Sequence, residues 1–301
     1  MTSVSVVLER CGILLEGPHW DDDSQCLYFI DYINGAVHRW NPETQNHETR
    51  TIGDRVSSVV TTRTPGVLCI TTKHRFVFLD WESGLVTHIA EIDQDRPENH
   101  LNDGKCDSMG RFWAGTVGPL ETPTKVKPKQ GSLFRLDGDG SVTKHVDGVD
   151  ISNGMCWSHD YRTMYYIDSL SGRVDAFDYC LETGGLSNRR PAVEIPNQEG
   201  FPDGMTMDTE GMLWVACFDG SKVNRYNPQT GEKLQTVRFP CSYVTSCCFG
   251  GKNLDTLYVT TSNDGLGDQK LREEPLAGSL FKVTGLGVKG LPANKYAGLG
   301  K

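Results

Sequence analysis

Residues 211–232 read GMLWVACFDGSKVNRYNPQTGE, and residues 26–44 read CLYFIDYINGAVHRWNPET. Each opens with an aromatic-aliphatic run, breaks at a glycine, resumes as a second alternating run and ends in a nearly identical Asn-Pro turn. Short runs of this composition, bounded by Gly, Asn, Asp and Pro, are strand pairs rather than helix, because their apolar residues follow a period of two. Four more units carry the same plan: GVLCITTKHRFVFLDWESG (66–84), GRFWAGTVG (110–118) continuing to GSLFRLDGDG (131–140), TMYYIDSLSGRVDAFDYCLETG (163–184), and TLYVTTSNDG (256–265) continuing to GSLFKVTG (278–285). Their leading runs start near residues 27, 68, 112, 164, 212 and 257, a spacing of roughly 40 to 50 residues that suits four-stranded propeller blades. The sequence therefore predicts an all-β chain of 301 residues forming a single six-bladed β-propeller domain, with four antiparallel strands per blade. The N-terminal VSVVL (4–8) has no unit of its own; it is expected to pair beside SLFKVTG in the last blade and so close the ring without a free sheet edge.

Counting back about ten residues from each leading run reaches a polar position that a glycine follows at once or one residue later in four units. It is Glu16 in LEGPHWD, Asn102 with Asp103 in LNDGK, Asn153 in SNGM, and Asp203 in PDGM; the second unit offers Ser57 and Ser58, and the sixth Thr245 and Ser246. Equivalent positions of a propeller are related by rotation about its central channel, so these oxygen-bearing side chains should gather at one mouth. Carboxylates facing one another in a confined site must take up protons or be compensated by a cation. Carboxylate and amide oxygens suit one divalent cation of the hard type, Ca²⁺ foremost, with Mg²⁺, Mn²⁺ and Zn²⁺ as the other candidates. A lone Asp-Gly or Asn-Gly is more simply a turn before a strand. It is the recurrence that argues for ligands.

The same stretches carry a resemblance. LEGPHWD, LNDGK, DISNGMCWS, MYYIDSLSGRVDAFDY, SNRRP, PDGMTMDTEGMLWVACF, TSCCFGGKNLDTLYVT and FKVTGLGVKG run almost to the C-terminus, and together they resemble the SMP-30, gluconolactonase and luciferin-regenerating-enzyme family, especially its regucalcin-like members. The resemblance implies a metal held by Glu16, Asn153 and Asp203, hydrolysis of sugar lactones, Asp203 as both ligand and general base, and Asn102 against the substrate. It further implies an aqueous pocket partly covered by a lid-like loop; here that segment reads VGPLETPTKVKPK (117–129), which makes Glu121 a candidate substrate contact. Where regucalcin-like sequences usually carry arginine, two positions before the motif's asparagine, this chain has His100. Imidazole offers at most two donors and can be neutral at pH 7, whereas guanidinium is a permanent cation with a fork of five, so the pattern puts substrate preference in question. The family resemblance also carries three other roles: a non-catalytic calcium-binding regulator, a luciferin-regenerating type and an organophosphate hydrolase.

Composition narrows the classes further. A net charge of −9 and a pI near 5.4 argue against nucleic acid or anionic lipid as a partner, since those need a basic patch. The densest basic run, KVKPKQ (125–130), reads as a solvated loop. There is no long uncharged apolar run of the kind a signal peptide or membrane span requires, and the ten scattered cysteines, with no CxxC pair, read as reduced thiols. A cytoplasmic protein acting on a small-molecule lactone, as a monomer or weak homodimer, is the expectation. Two decoys fall away. DGDGSVTKHVDGVD (137–150) has Val142 and Gly148 where an EF-hand needs glycine and glutamate, and GLGVKG (285–290) lacks the surrounding βαβ unit of a dinucleotide site. Trp20, Trp157 and Trp214 read as packing between blades, and adjacent Cys247 and Cys248 as opposite faces of one strand.

Overall fold

The computed structural model describes residues 1–122 and 124–298. Six four-stranded antiparallel sheets follow one another around a ring. Their innermost strands are Leu15–Asp21, Val56–Thr61, His100–Cys106, Ser152–Trp157, Phe201–Met207 and Val244–Gly250, and each packs on the next, the last against the first. The alternating repeats are thus the blades of a β-propeller, as their spacing predicts. Ser3–Leu8 pairs antiparallel with Leu280–Thr284 as the outermost strand of the sixth blade. The N-terminus in this way completes a sheet made otherwise from the C-terminal end of the chain, and the ring is closed by backbone hydrogen bonds.

No single core fills the molecule; instead, apolar side chains form six clusters, one at each junction of neighbouring blades. Trp20, Phe29 and Trp40 of the first blade meet Tyr258 and Leu280 of the sixth, while Trp214 of the fifth packs with Phe249 and Phe281 of the sixth. Trp20 stacks on Tyr258 at 5.8 Å, and Trp157 lies in the cluster shared by the third and fourth blades. The tryptophans are packing residues. Cys247 and Cys248 are both buried, but they face different clusters, and all ten cysteines are free. Residues 137–141 form the turn between strands Gly131–Leu136 and Val142–Val149, which accounts for the EF-hand decoy. KVKPKQ is solvated as expected, its three lysines exposed, but it is not loop throughout: Lys125 and Val126 pair with Leu120–Thr122 in a small hairpin, and Lys129 is tied to Asp150 at 2.8 Å. No helix among the described residues is long and apolar enough to cross a membrane.

The C-terminal segment, which contains GLGVKG, runs across the end of the ring away from the polar mouth. Gly290 bridges to Asp208, Asn294 donates to the Cys106 carbonyl, and Tyr296 bridges to Thr62 while its hydroxyl donates to the Asp137 carbonyl at 2.8 Å. Lys295 reaches Asp21 and Asp23 of the first blade. These contacts are at the far ends of the inner strands, so the chain straps that face and leaves the other for function.

Candidate active site at the channel mouth

All six inner strands lose regular register at the same place: between Glu16 and His19, Val56 and Ser58, Leu101 and Gly104, Ser152 and Met155, Pro202 and Met205, and Val244 and Ser246. A bulge inserts an unpaired residue, bends the strand and re-aims a side chain. Here it turns Glu16, Ser57, Asn102, Asn153, Asp203 and Thr245 toward one cavity of about 380 Å³. The glycines after two of these residues serve close approach. A Cβ on Gly154 would lie 2.6 Å from the Asp203 carbonyl oxygen, and one on Gly204 would collide with Ser246 of the next blade. The Asn-Gly and Asp-Gly pairs therefore let adjacent inner strands come together where the polar side chains converge.

Two carboxylates, Glu16 and Asp203, line this cavity, Asp103 lies close enough to repel both, and the three have few donors. Glu16 accepts from the Gly17 N–H at 2.7 Å and Asp103 from the Gly104 N–H at 2.7 Å. Asp103 and Asp203 are each 8% exposed. Burial pushes the Glu16 and Asp203 carboxyls well above the usual range; repulsion adds to it, from Asp103 on Glu16 and from Glu16 and Asp103 on Asp203. Burial raises Asp103 as well, with Lys105 pulling the other way. Lys105 donates to the Met205 carbonyl at 2.6 Å. None of the three acids forms an ion pair among the described residues. Asp103, which the sequence reading left outside the ligand set, thus joins Glu16 and Asp203 electrostatically, and its place beside Asn102 in LNDGK was the available signal.

Asn153 lies at the base of the cavity, its amide nitrogen donating to Ser169 at 2.8 Å while its oxygen accepts from Asn102 at 3.1 Å. Asn102 donates also to the Ser152 carbonyl at 2.8 Å, so its own carbonyl oxygen is what remains for the cavity. His100 opens the inner strand of the third blade and lies 5.6 Å from the Tyr32 ring. Its imidazole is driven down to about 4, first by burial and then by the charge of Arg55. Glu121, in the hairpin Leu120–Thr122, lines the outer wall as an exposed side chain ion-paired to Lys125. All six residues singled out from the sequence border the same cavity. Sequence reasoning missed two others: Tyr32, in the turn after the second strand of the first blade, and Arg55, just before the inner strand of the second.

The donor set fits a divalent cation. Asp203 is buried and Glu16 partly so, the two repel each other and have few hydrogen-bond partners, and the Asn153 amide lines the same cavity; a hard ion removes the repulsion and supplies the missing partner. Among the described residues no three His, Cys, Asp or Glu side chains, those at this mouth included, are placed to hold a metal together, so a cation here needs the Asn153 amide oxygen beside Glu16 and Asp203.

Known proteins similar to the chain match nearly all of it. Regucalcin from Gallus gallus is 47% identical over 283 residues, covering 94% of each chain. A solved luciferin-regenerating enzyme superposes with a TM-score of 0.91 at 35% identity, over 99% of this chain and 100% of that one. A solved calcium-binding protein, regucalcin from Agrobacterium tumefaciens, also gives 0.91 at 25% identity, over 98% and 97%. The family model described as SMP-30/Gluconolactonase/LRE-like region matches residues 14–263, and the chain accordingly belongs to the SMP-30, gluconolactonase and luciferin-regenerating-enzyme family.

Proposed function

We propose that the protein hydrolyses the ester bond of a sugar lactone at the channel mouth, with Glu16, Asn153 and Asp203 holding one divalent cation. The observation that carries this reading is the cluster of mutually repelling carboxylates with few donors that lines the cavity. A fold does not keep such repulsion for stability alone, since burying carboxylates without partners costs several kcal/mol per ion. The family includes gluconolactonases by its description, and a solved relative is described as calcium-binding; both are consistent with this chemistry.

When bound, the cation supplies Lewis-acid polarisation of the lactone carbonyl and compensates the negative charge that develops on its oxygen. The residues supply the rest. Asp203 takes the proton of the attacking water, and coordination tempers its basicity so that it remains ionised at neutral pH. The Asn102 carbonyl oxygen accepts from a ring hydroxyl and fixes the face presented to water. His100, neutral at physiological pH, adds one donor or acceptor. The hairpin carrying Glu121 covers the cavity from the outside and limits exchange with solvent.

A panel of aldonolactones assayed with Ca²⁺, Mg²⁺, Mn²⁺ or Zn²⁺, wild type beside Asp203→Ala, tests the reading. Metal-dependent turnover that falls by at least about 10³-fold in the variant is expected, the scale of losing both a general base and a ligand. Tight metal binding without turnover on any lactone would instead identify a calcium-binding regulator.

A further inference from the structure

Arg55 is a cation with nothing anionic to hold. Its guanidinium lies 5.2 Å over the Tyr32 ring and donates once, to the Tyr32 hydroxyl at 3.3 Å. Among the described residues it forms no ion pair, although most other arginines of the molecule do, and it is an exposed residue at the edge of the cavity it lines, so most of its five donors are free for a ligand there. The Tyr32 ring supports the guanidinium and itself lies beside His100. Both Arg55 and His100 stand two residues before the cavity-facing position of their strand, Ser57 in the second blade and Asn102 in the third. The repeat from blade to blade thus puts a guanidinium and an imidazole at matching positions of neighbouring blades, both lining the cavity that Glu16 and Asp203 line.

We infer that Arg55 sets the substrate preference of this site, and that the favoured lactone carries a carboxylate on the arm remote from the ester, as the lactone of a sugar diacid does. This inference rests on the proposed lactonase reading. A planar, stacked guanidinium with free donors matches a carboxylate bidentately. A monoanion fits better than a phosphate dianion, because Glu121 and Asp264 border the same cavity and penalise each added negative charge. Neutral sugar hydroxyls give such a cation no charge to compensate.

The test compares two substrates that differ only in that arm, glucono-δ-lactone and a glucarolactone, with the metal-loaded wild type, Arg55→Gln and Arg55→Lys. The expected result is a wild-type kcat/KM that favours the diacid lactone by tenfold or more, a ratio that collapses at least tenfold in Arg55→Gln, mostly through KM, and a partial recovery in Arg55→Lys. Equal losses on both substrates, or no wild-type preference, would overturn the inference while leaving the lactonase reading intact. If no lactone is turned over, calorimetry of glucarate against gluconate decides the matter in the metal-loaded protein. Tighter glucarate binding that disappears in Arg55→Gln sustains the role of Arg55, and equal binding by both forms refutes it.

Discussion

Two sets of buried carboxylates stand at opposite ends of the same inner strands. At the far end, Asp208 is fully buried and saturated: it accepts from the Glu210 and Met212 amides, from Trp214 Nε1 at 2.9 Å and from Arg225 Nε at 2.7 Å. Asp107 repeats the arrangement with the Met109 and Arg111 amides, Arg111 Nε at 2.6 Å, Trp113 Nε1 at 2.8 Å and the Tyr179 hydroxyl at 2.7 Å. At the mouth, Glu16 and Asp103 each accept from the next residue's amide, Glu16 has the Ser246 hydroxyl besides, Asp203 has the Gly204 amide, and the three repel one another. The far acids are fully enclosed and fully paired, whereas Asp103 and Asp203 keep a little exposure, Glu16 is only partly buried, and all three have few donors. A saturated acid is fastening blades; an unsaturated one is waiting for a partner from outside.

The largest effect expected from this contrast is on stability at the far end. Replacing Asp208 with Ala leaves the Arg225 guanidinium and the Trp214 N–H buried without their acceptor, a loss of about 3–5 kcal/mol. Chemical denaturation should show the midpoint falling, with metal affinity per folded molecule unchanged. A loss under about 1 kcal/mol would mean that saturation at this end contributes little.

His19 provides an intermediate case, a buried group satisfied only in one protonation state. Its Nε2 accepts from the Thr61 N–H at 3.2 Å and lies 3.0 Å from the Thr61 hydroxyl. Burial holds the imidazole down at about 4. Because the unfolded chain binds this proton near 6.5, His19 contributes stability that is fully present above that pH and is lost as pH falls from about 6.5 toward 4. The contribution at neutral pH is at most about 3 kcal/mol. In His19→Gln, the decline of stability over this window should be shallower than in wild type; an unchanged slope would assign acid sensitivity to His38 and His145, which burial also lowers to about 4.

Much of this was legible before the fold was known, for physical reasons that differ by residue. The blades declared themselves because a period-two apolar pattern and a turn such as Asn-Pro-x-Thr are local. Glu16, Asn153 and Asp203 could be grouped because rotation turns a repeated phase into proximity. Arg55 and Tyr32 could not, since neither lies in the repeated glycine phrase; their joint role arises from one blade leaning on the next. The saturated acids do have a local signature, Asp-x-x-Gly-x-x-Trp at 107–113 and again at 208–214, in which the glycine turns the chain and the indole returns its N–H to the aspartate. That spacing separates a structural aspartate from a ligand. The strap of residues across the far face has no such signature, because its contacts, to backbone carbonyls and to Asp21 and Asp23, are with residues far away in the sequence.

The smallest and most discriminating effect belongs to Asp203. In the metal-free protein at pH 7, Asp203→Asn removes one of three repelling carboxyls while keeping a side-chain oxygen beside the Gly204 amide, so the variant should be more stable than wild type by about 1 kcal/mol, the scale of relieving a strained functional site. Adding Ca²⁺ at a hundredfold excess over Kd should stabilise wild type by about 2.7 kcal/mol and the variant much less, so the order of the two proteins inverts. Thermal or denaturant melts of both proteins with and without the ion measure all four states. The same substitution at Asp208 should destabilise with or without calcium, since its partners are already within the protein. If Asp203→Asn also destabilises the metal-free form, the mouth carboxylates are held by the fold as the far ones are, and the contrast between the two ends does not mark the site.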